Sequence, residues 1–69
     1  MDKLTLPQRN VLAFLKSFTK QHGYAPTRTE IAEHFGWSGN NAAECHLTPM
    51  ERKGAIRIAR GIARGIVVL

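Results

Sequence analysis

The chain has a single cysteine, Cys45, which excludes an internal disulfide and leaves apolar packing to hold the fold. One thiol is compatible with a reducing compartment. No stretch approaches the roughly 18 consecutive apolar residues of a membrane span, and no signal-peptide core opens the chain. A soluble, cytoplasmic protein without a membrane role is expected. Internal repeats, low-complexity tracts and linkers are absent. Also missing are nucleophile–base pairs and paired carboxylates, so neither an enzyme nor a small-molecule substrate is expected. Cys45 and His46 are adjacent, and His22 and His34 complete no zinc spacing; no metal and no cofactor are expected. Cys45 is expected to be an ordinary surface residue rather than a redox switch, because Glu44 beside it disfavours the thiolate. Acidic residues are scarce, 5 against 10 Lys and Arg, and the net charge of +5 suits a polyanionic partner.

With 69 residues there is room for one domain, spanning 1–69, and only a few kcal/mol of net stability. Thr5-Leu6-Pro7-Gln8 is a capping box that opens a helix running to about Gln21, with His22-Gly23 as its stop. Val11, Phe14, Leu15 and Phe18 share an apolar stripe, Leu12 lies at its edge, and Ala13, Lys16, Ser17 and Lys20 face away. Gly23-Tyr24-Ala25-Pro26 is a connector. A second capping box, Thr27 with Glu30, opens a short helix that ends at Gly36, with Ile31, Ala32 and Phe35 inward. Trp37 is expected to plug the helix junction rather than stack on nucleic acid.

Ser38-Gly39-Asn40-Asn41 has turn and cap chemistry, so a third helix starts near Asn40 or Asn41, with Asn40 available as its cap. Ala43, Leu47 and Met50 at i, i+4 and i+7 share its inward face, with His46 near the edge. Asn41, Cys45, Thr48 and Arg52 lie opposite, flanked by Ala42 and Glu44. Pro49 deletes the amide that would bond the Cys45 carbonyl and is expected to kink or shorten this helix. After Gly54 the period becomes that of strands. Ile56-Arg57-Ile58 and Ile66-Val67-Val68-Leu69 flank a glycine-containing tip, so Ile56, Ile58, Ile66 and Val68 are expected to close the core. The fold class is therefore α+β, mainly α: a three-helix winged helix-turn-helix, helix-turn-helix about 28–53, with a C-terminal two-stranded β-hairpin wing about 55–69. Residues 37–69 hold five cations against two acids: Arg52, Lys53, Arg57, Arg60 and Arg64 follow a nearly neutral helix front. Cations that grip phosphate beside uncharged or acidic base readers fit a double-stranded DNA partner.

The segments PTRTEIAEHFGW, NNAAECHL, ERKGAI and GIARGIVVL resemble the N-terminal DNA-binding domain of the LexA repressor family, over essentially the whole chain. The resemblance implies a repressor of transcription, of SOS, phage or plasmid type, that binds palindromic operators as a dimer. It also implies base reading from the start of the third helix, at positions matching Asn41, Ala42 and Glu44, with backbone contacts from the wing. The chain departs from the family at Gly39-Asn40, where members carry serine-proline, at Cys45, where they carry a second glutamate, and at Pro49, where they carry a helix former. A groove-facing glutamate accepts a hydrogen bond from cytosine N4 and a thiol does so poorly, which leaves the operator open. Family members continue into a domain with a serine–lysine self-cleavage dyad and most of the dimer interface. No counterpart is found here, so a truncated domain or a stand-alone protein is expected, one that is not a self-cleaving sensor.

Among candidate DNA contacts, Asn41 either reads adenine or caps its helix, and Glu44 either reads cytosine or plays a capping-type role. Ala42, Cys45 and Thr48 join them as base readers; Arg28, Arg52, Lys53 and Arg57 are candidates for the phosphates. Arg60 and Arg64 are expected to bind phosphate or enter the minor groove rather than form a solvated hairpin tip, and Asn40 is a further candidate DNA contact. A weak homodimer on DNA, touching through the wing and located at the nucleoid, is the expected assembly. The rival expectation is a small winged-helix protein that modulates a repressor or RNA polymerase by protein contact without reading DNA. RNA binding is disfavoured by the lack of an exposed aromatic platform.

Overall fold

A computed structural model describes residues 3–69 in the order α1 (Leu6–His22), α2 (Arg28–Phe35), α3 (Asn40–Arg52), β1 (Ile56–Ile58) and β2 (Ile66–Val68). Both capping boxes form. Thr5 Oγ1 accepts from the Gln8 amide and Gln8 Oε1 from the Thr5 amide, and the same reciprocal pair joins Thr27 and Glu30. These bonds satisfy amide donors that a helix N-terminus otherwise leaves without partners. At the end of α2 the Trp37 amide bonds the Ala32 carbonyl at 2.8 Å and the Gly36 amide bonds that of Glu33, with Gly36 at φ 72°. That is a Schellman stop, and it aims the chain directly into the turn before α3.

The start of α3 differs from the expected cap. Gly39, at φ 100°, occupies the N-cap position without a side-chain bond. The chain reverses here through a backbone region open to glycine, and this displaces Asn40 into the first helical position. Asn40 Oδ1 instead accepts from Thr29 Oγ1 at 3.0 Å, tying α3 to α2. Pro49 does not cut the helix short, since α3 continues to Arg52. The Cys45 carbonyl that loses its amide partner belongs to an exposed residue.

The three helices and the hairpin meet in one core. Val11, Leu15, Ile31, Ala43, Leu47, Met50 and Ile56 are at most 1% exposed, and Ile58 and Ile66 close the hairpin side. Each large side chain among them contributes about 1.5–3 kcal/mol by leaving water. Val68 is half-buried against the cluster, as are Leu12, Phe14, Phe35 and Trp37. Phe18 is also half-buried, and its ring meets Phe14, His22 and Tyr24 outside the central cluster. The hairpin is antiparallel, with Ile56 opposite Val68, Arg57 opposite Val67 and Ile58 opposite Ile66. Gly65 permits its closure, because a Cβ there would lie 2.6 Å from the Ala59 carbonyl oxygen. β1 packs on α3 and β2 on α1. Among the described residues no helix is long and apolar enough to cross a membrane.

Candidate nucleic-acid interface

Burying Ala43, Leu47 and Met50 fixes the rotation of α3 and turns Asn41, Cys45 and Arg52 to solvent. Asn41, Glu44, Cys45, Thr48, Pro49 and Arg52 line one shallow surface depression along the helix. This is the face that the sequence periodicity assigned outward. Asn41 sits second in the helix with an exposed side chain that bonds no other group among the described residues, which leaves both ends of its amide available to a base edge. Ala42 is half-buried, and its carbonyl lies 2.9 Å from His46 Nδ1. The His46 ring stacks on Trp37 at 4.5 Å and 8°, and Trp37 stacks on Phe35 at 4.8 Å. The turn between α2 and α3 is thus braced by aromatic packing, with Trp37 in the plugging role expected of it.

Glu44 has a more specific position than its spacing implied. Gly39 as N-cap makes Ala42 the third helical residue, so Glu44 is outside capping-box geometry. Its carboxylate pairs with Arg28 Nε, with Thr48 Oγ1 at 3.4 Å and with Arg60 Nη1 at 3.5 Å. The Arg28 guanidinium holds the Glu44 carboxyl below the usual carboxylate range, assisted by the charge of Arg60. Arg28 and Arg60 together offset the charges of Glu44 and Glu51, so the Glu44 carboxylate meets a phosphate backbone as part of a neutral cluster rather than as a bare anion. Arg28 donates its Nε to Glu44, and its terminal nitrogens keep donors suited to a phosphate.

The hairpin is joined to α3 by Glu51, a residue the sequence reading passed over. Glu51 Oε2 accepts the Ile58 amide at 2.9 Å, and Oε1 pairs with Arg60 Nη2 at 2.9 Å. Glu44 and Glu51 are seven residues apart and lie on one face of α3; that spacing was the available signal. Arg60 therefore crosses from the hairpin to both acids of the helix.

The remaining cations divide sharply. Arg52 and Arg57 are exposed and form no ion pair among the described residues. Lys53 points elsewhere, since its Nζ bonds the Lys3 carbonyl at 3.0 Å and Gln8 Oε1 at 2.8 Å, tying the end of α3 to the start of α1. Arg64 folds back from the hairpin loop onto α2. Its guanidinium bonds Glu30 at 2.8 and 3.2 Å and the Ala25 carbonyl at 2.9 Å, and its carbon lies 4.5 Å from the Tyr24 ring centre. The bond to Arg64 lowers the Glu30 pKa, and the bond to Glu30 raises that of Arg64. Arg28, Asn41, Glu44, Cys45, Thr48, Arg52 and Arg60 are thus brought together on and around α3. Arg57 lies on the outer surface of the hairpin, and Asn40, Lys53 and Arg64 are engaged within the fold.

Comparison with known proteins gives a consistent picture. The family model described as the LexA DNA binding domain matches residues 1–65. The chain is 48% identical over 66 residues to the LexA repressor of Pseudomonas aeruginosa strain UCBPP-PA14, a match covering 96% of this chain and 32% of that protein. It is 50% identical over 66 residues to the LexA repressor of Pseudomonas chlororaphis, covering 96% and 33%. Identity to the LexA repressor of Halorhodospira halophila is 47% over 66 residues, covering 96% and 29%. The chain spans about a third of the length of these curated relatives.

Proposed function

This chain belongs to the LexA DNA-binding domain family, and from that premise we propose that it is a sequence-specific transcriptional repressor that reads double-stranded DNA with α3. The observation that carries the proposal is the outward face of α3. Asn41 is exposed at the leading end, with no side-chain hydrogen bond among the described residues, and the Glu44 carboxylate is held in place by Arg28, Thr48 and Arg60.

A helix of this size fits the major groove, where Asn41 pairs with the N6 and N7 edge of adenine and Glu44 accepts from cytosine N4. Thr48 and Ala42 supply shape and apolar contact, and Cys45 replaces a base reader of the family with a small, weakly bonding one. Arg52 and Arg57 hold phosphates, and Arg28 and Arg60 add donors while steadying Glu44. One such module covers little DNA, so isolated copies bind weakly, and two copies on an inverted repeat, meeting at their hairpins, supply the affinity of a repressor acting at the nucleoid.

Selection from a randomised duplex library at low and moderate salt tests this. Enrichment of an inverted repeat that persists at the higher salt supports a dimeric operator reader. Binding that is salt-sensitive and enriches no motif would refute it, because phosphate contacts alone carry no sequence information.

A further inference from the structure

We infer that the groove between α1 and β2 is a docking site for an acidic, extended segment of a partner protein, on a different side of the domain from the DNA-reading helix. The groove encloses about 550 Å³. Ala25, Ile66 and Val68 line it together with the partly exposed Tyr24 and Val67. Lys16 and Lys20, one turn apart on α1, form its charged side, and no acidic residue lines it. Arg64 also reaches it, with its charge already met by Glu30.

The strand edge gives the groove a direction. Arg57 lies opposite Val67, the Ala59 amide bonds the Gly65 carbonyl at 2.8 Å, and the Leu69 amide bonds the Ala55 carbonyl at 3.1 Å. In that pattern residues 65, 67 and 69 face β1, so the amides and carbonyls of Ile66 and Val68 face away from it. Among the described residues no backbone group outside the hairpin bonds them. The equivalent outward amide on β1, that of Ile58, is taken by Glu51. Ile66 is only 4% exposed, so this edge is reachable at the half-buried Val68, where an extended segment can pair with the end of β2 and lay side chains into the apolar groove. Lys16 and Lys20 select carboxylates on the side chains between them.

A DNA duplex offers neither a peptide edge for β2 nor apolar side chains for the groove. The groove also shares no residue with the depression along α3. β2 packs on α1 and β1 on α3, so a segment bound here leaves the α3 surface open to DNA.

The test uses the 69-residue chain. A short fluorescent peptide alternating Val or Leu with Asp or Glu is titrated by anisotropy, beside a control in which Lys replaces the acids. Saturable binding of the acidic peptide only is expected, with amide NMR shifts at Lys16 to Tyr24 and Ile66 to Val68. The double variant Lys16→Gln, Lys20→Gln weakens it about fivefold, as two exposed charge pairs are lost. Affinity of that variant for duplex DNA changes less than about twofold near 0.15 M salt, where screening confines surface charges to short range. Circular dichroism checks that it is folded. Absence of acidic-peptide binding, equal binding by the double variant or shifts centred on α3 would overturn the inference. So would a large loss of DNA affinity in the double variant, which would assign this side to nucleic acid.

Discussion

Arg52 and Arg64 have the same formal charge but unequal access to a phosphate. Arg52 is exposed in the last turn of α3 without an ion pair among the described residues. Arg64 already donates to both Glu30 oxygens and to the Ala25 carbonyl and lies over Tyr24, so it must surrender these partners to meet DNA. Each phosphate neutralised by a cation contributes about 0.9 to the slope of log affinity against log salt. Arg52→Ala should therefore lower that slope by about 0.9, so that the cost of moving from about 50 to about 200 mM salt shrinks roughly 3.5-fold. Arg64→Ala should alter the slope by less than about 0.3, because the phosphate loses no bound cation. Anisotropy of a labelled duplex over this salt range, with wild type and both variants, measures the difference. Equal flattening by Arg64→Ala would show that the Glu30 pair opens on DNA and would refute the division of cations drawn from the structure.

Four further outcomes are expected. Leu47→Ala empties a fully buried site joining α3 to the rest of the core and should cost about 2–5 kcal/mol, enough to unfold much of so small a domain; urea unfolding followed by circular dichroism measures it. Pro49→Ala restores an amide within bonding reach of the Cys45 carbonyl and should raise the urea midpoint, by up to about 3 kcal/mol in stability; an unchanged midpoint would show that proline is fully accommodated. Gly65→Ala forces a Cβ against the backbone oxygen of Ala59, so amide exchange at Ala59 and across the hairpin should accelerate while α1 stays protected. Finally, Glu30 and Glu44 have lowered folded-state pKa values, so their arginine partners stabilise the fold above the unfolded carboxylate pKa near about 4.3, and this is lost as pH falls through the folded values. Acid titration of stability should show this decline, and Arg64→Ala should reduce the part belonging to Glu30, leaving the share that the Thr27 amide supplies.

The features legible in the sequence are those whose partners lie close along the chain. Thr5 with Gln8 and Thr27 with Glu30 bond across three residues, and the inward stripe of α3 follows from helical period alone. The β-branched clusters around 56–58 and 66–68 marked the hairpin for the same reason. Asn40 misled because cap preference is a side-chain statistic, whereas the reversal after Trp37 needed a positive φ that Gly39 supplies. Ionic partners were the least legible. Arg28 meets Glu44 across 16 residues and Arg64 meets Glu30 across 34, while the hydrogen bond from Lys53 to the neutral Gln8 spans 45, and only the folded core brings each pair together. Charge counting is blind to these partners, so it treats Lys53 and Arg64 as equal to Arg52, which is unpaired among the described residues.

The central claim is that α3 reads DNA, and an amide NMR titration of the chain with duplex DNA carrying a selected operator tests it most directly. The account predicts the largest shifts from Asn40 to Arg52 and at Arg28, Arg57 and Arg60, with loss of sequence preference in Asn41→Ala. Shifts concentrated on α1 and β2, with an Asn41→Ala variant that still prefers its operator, would contradict it.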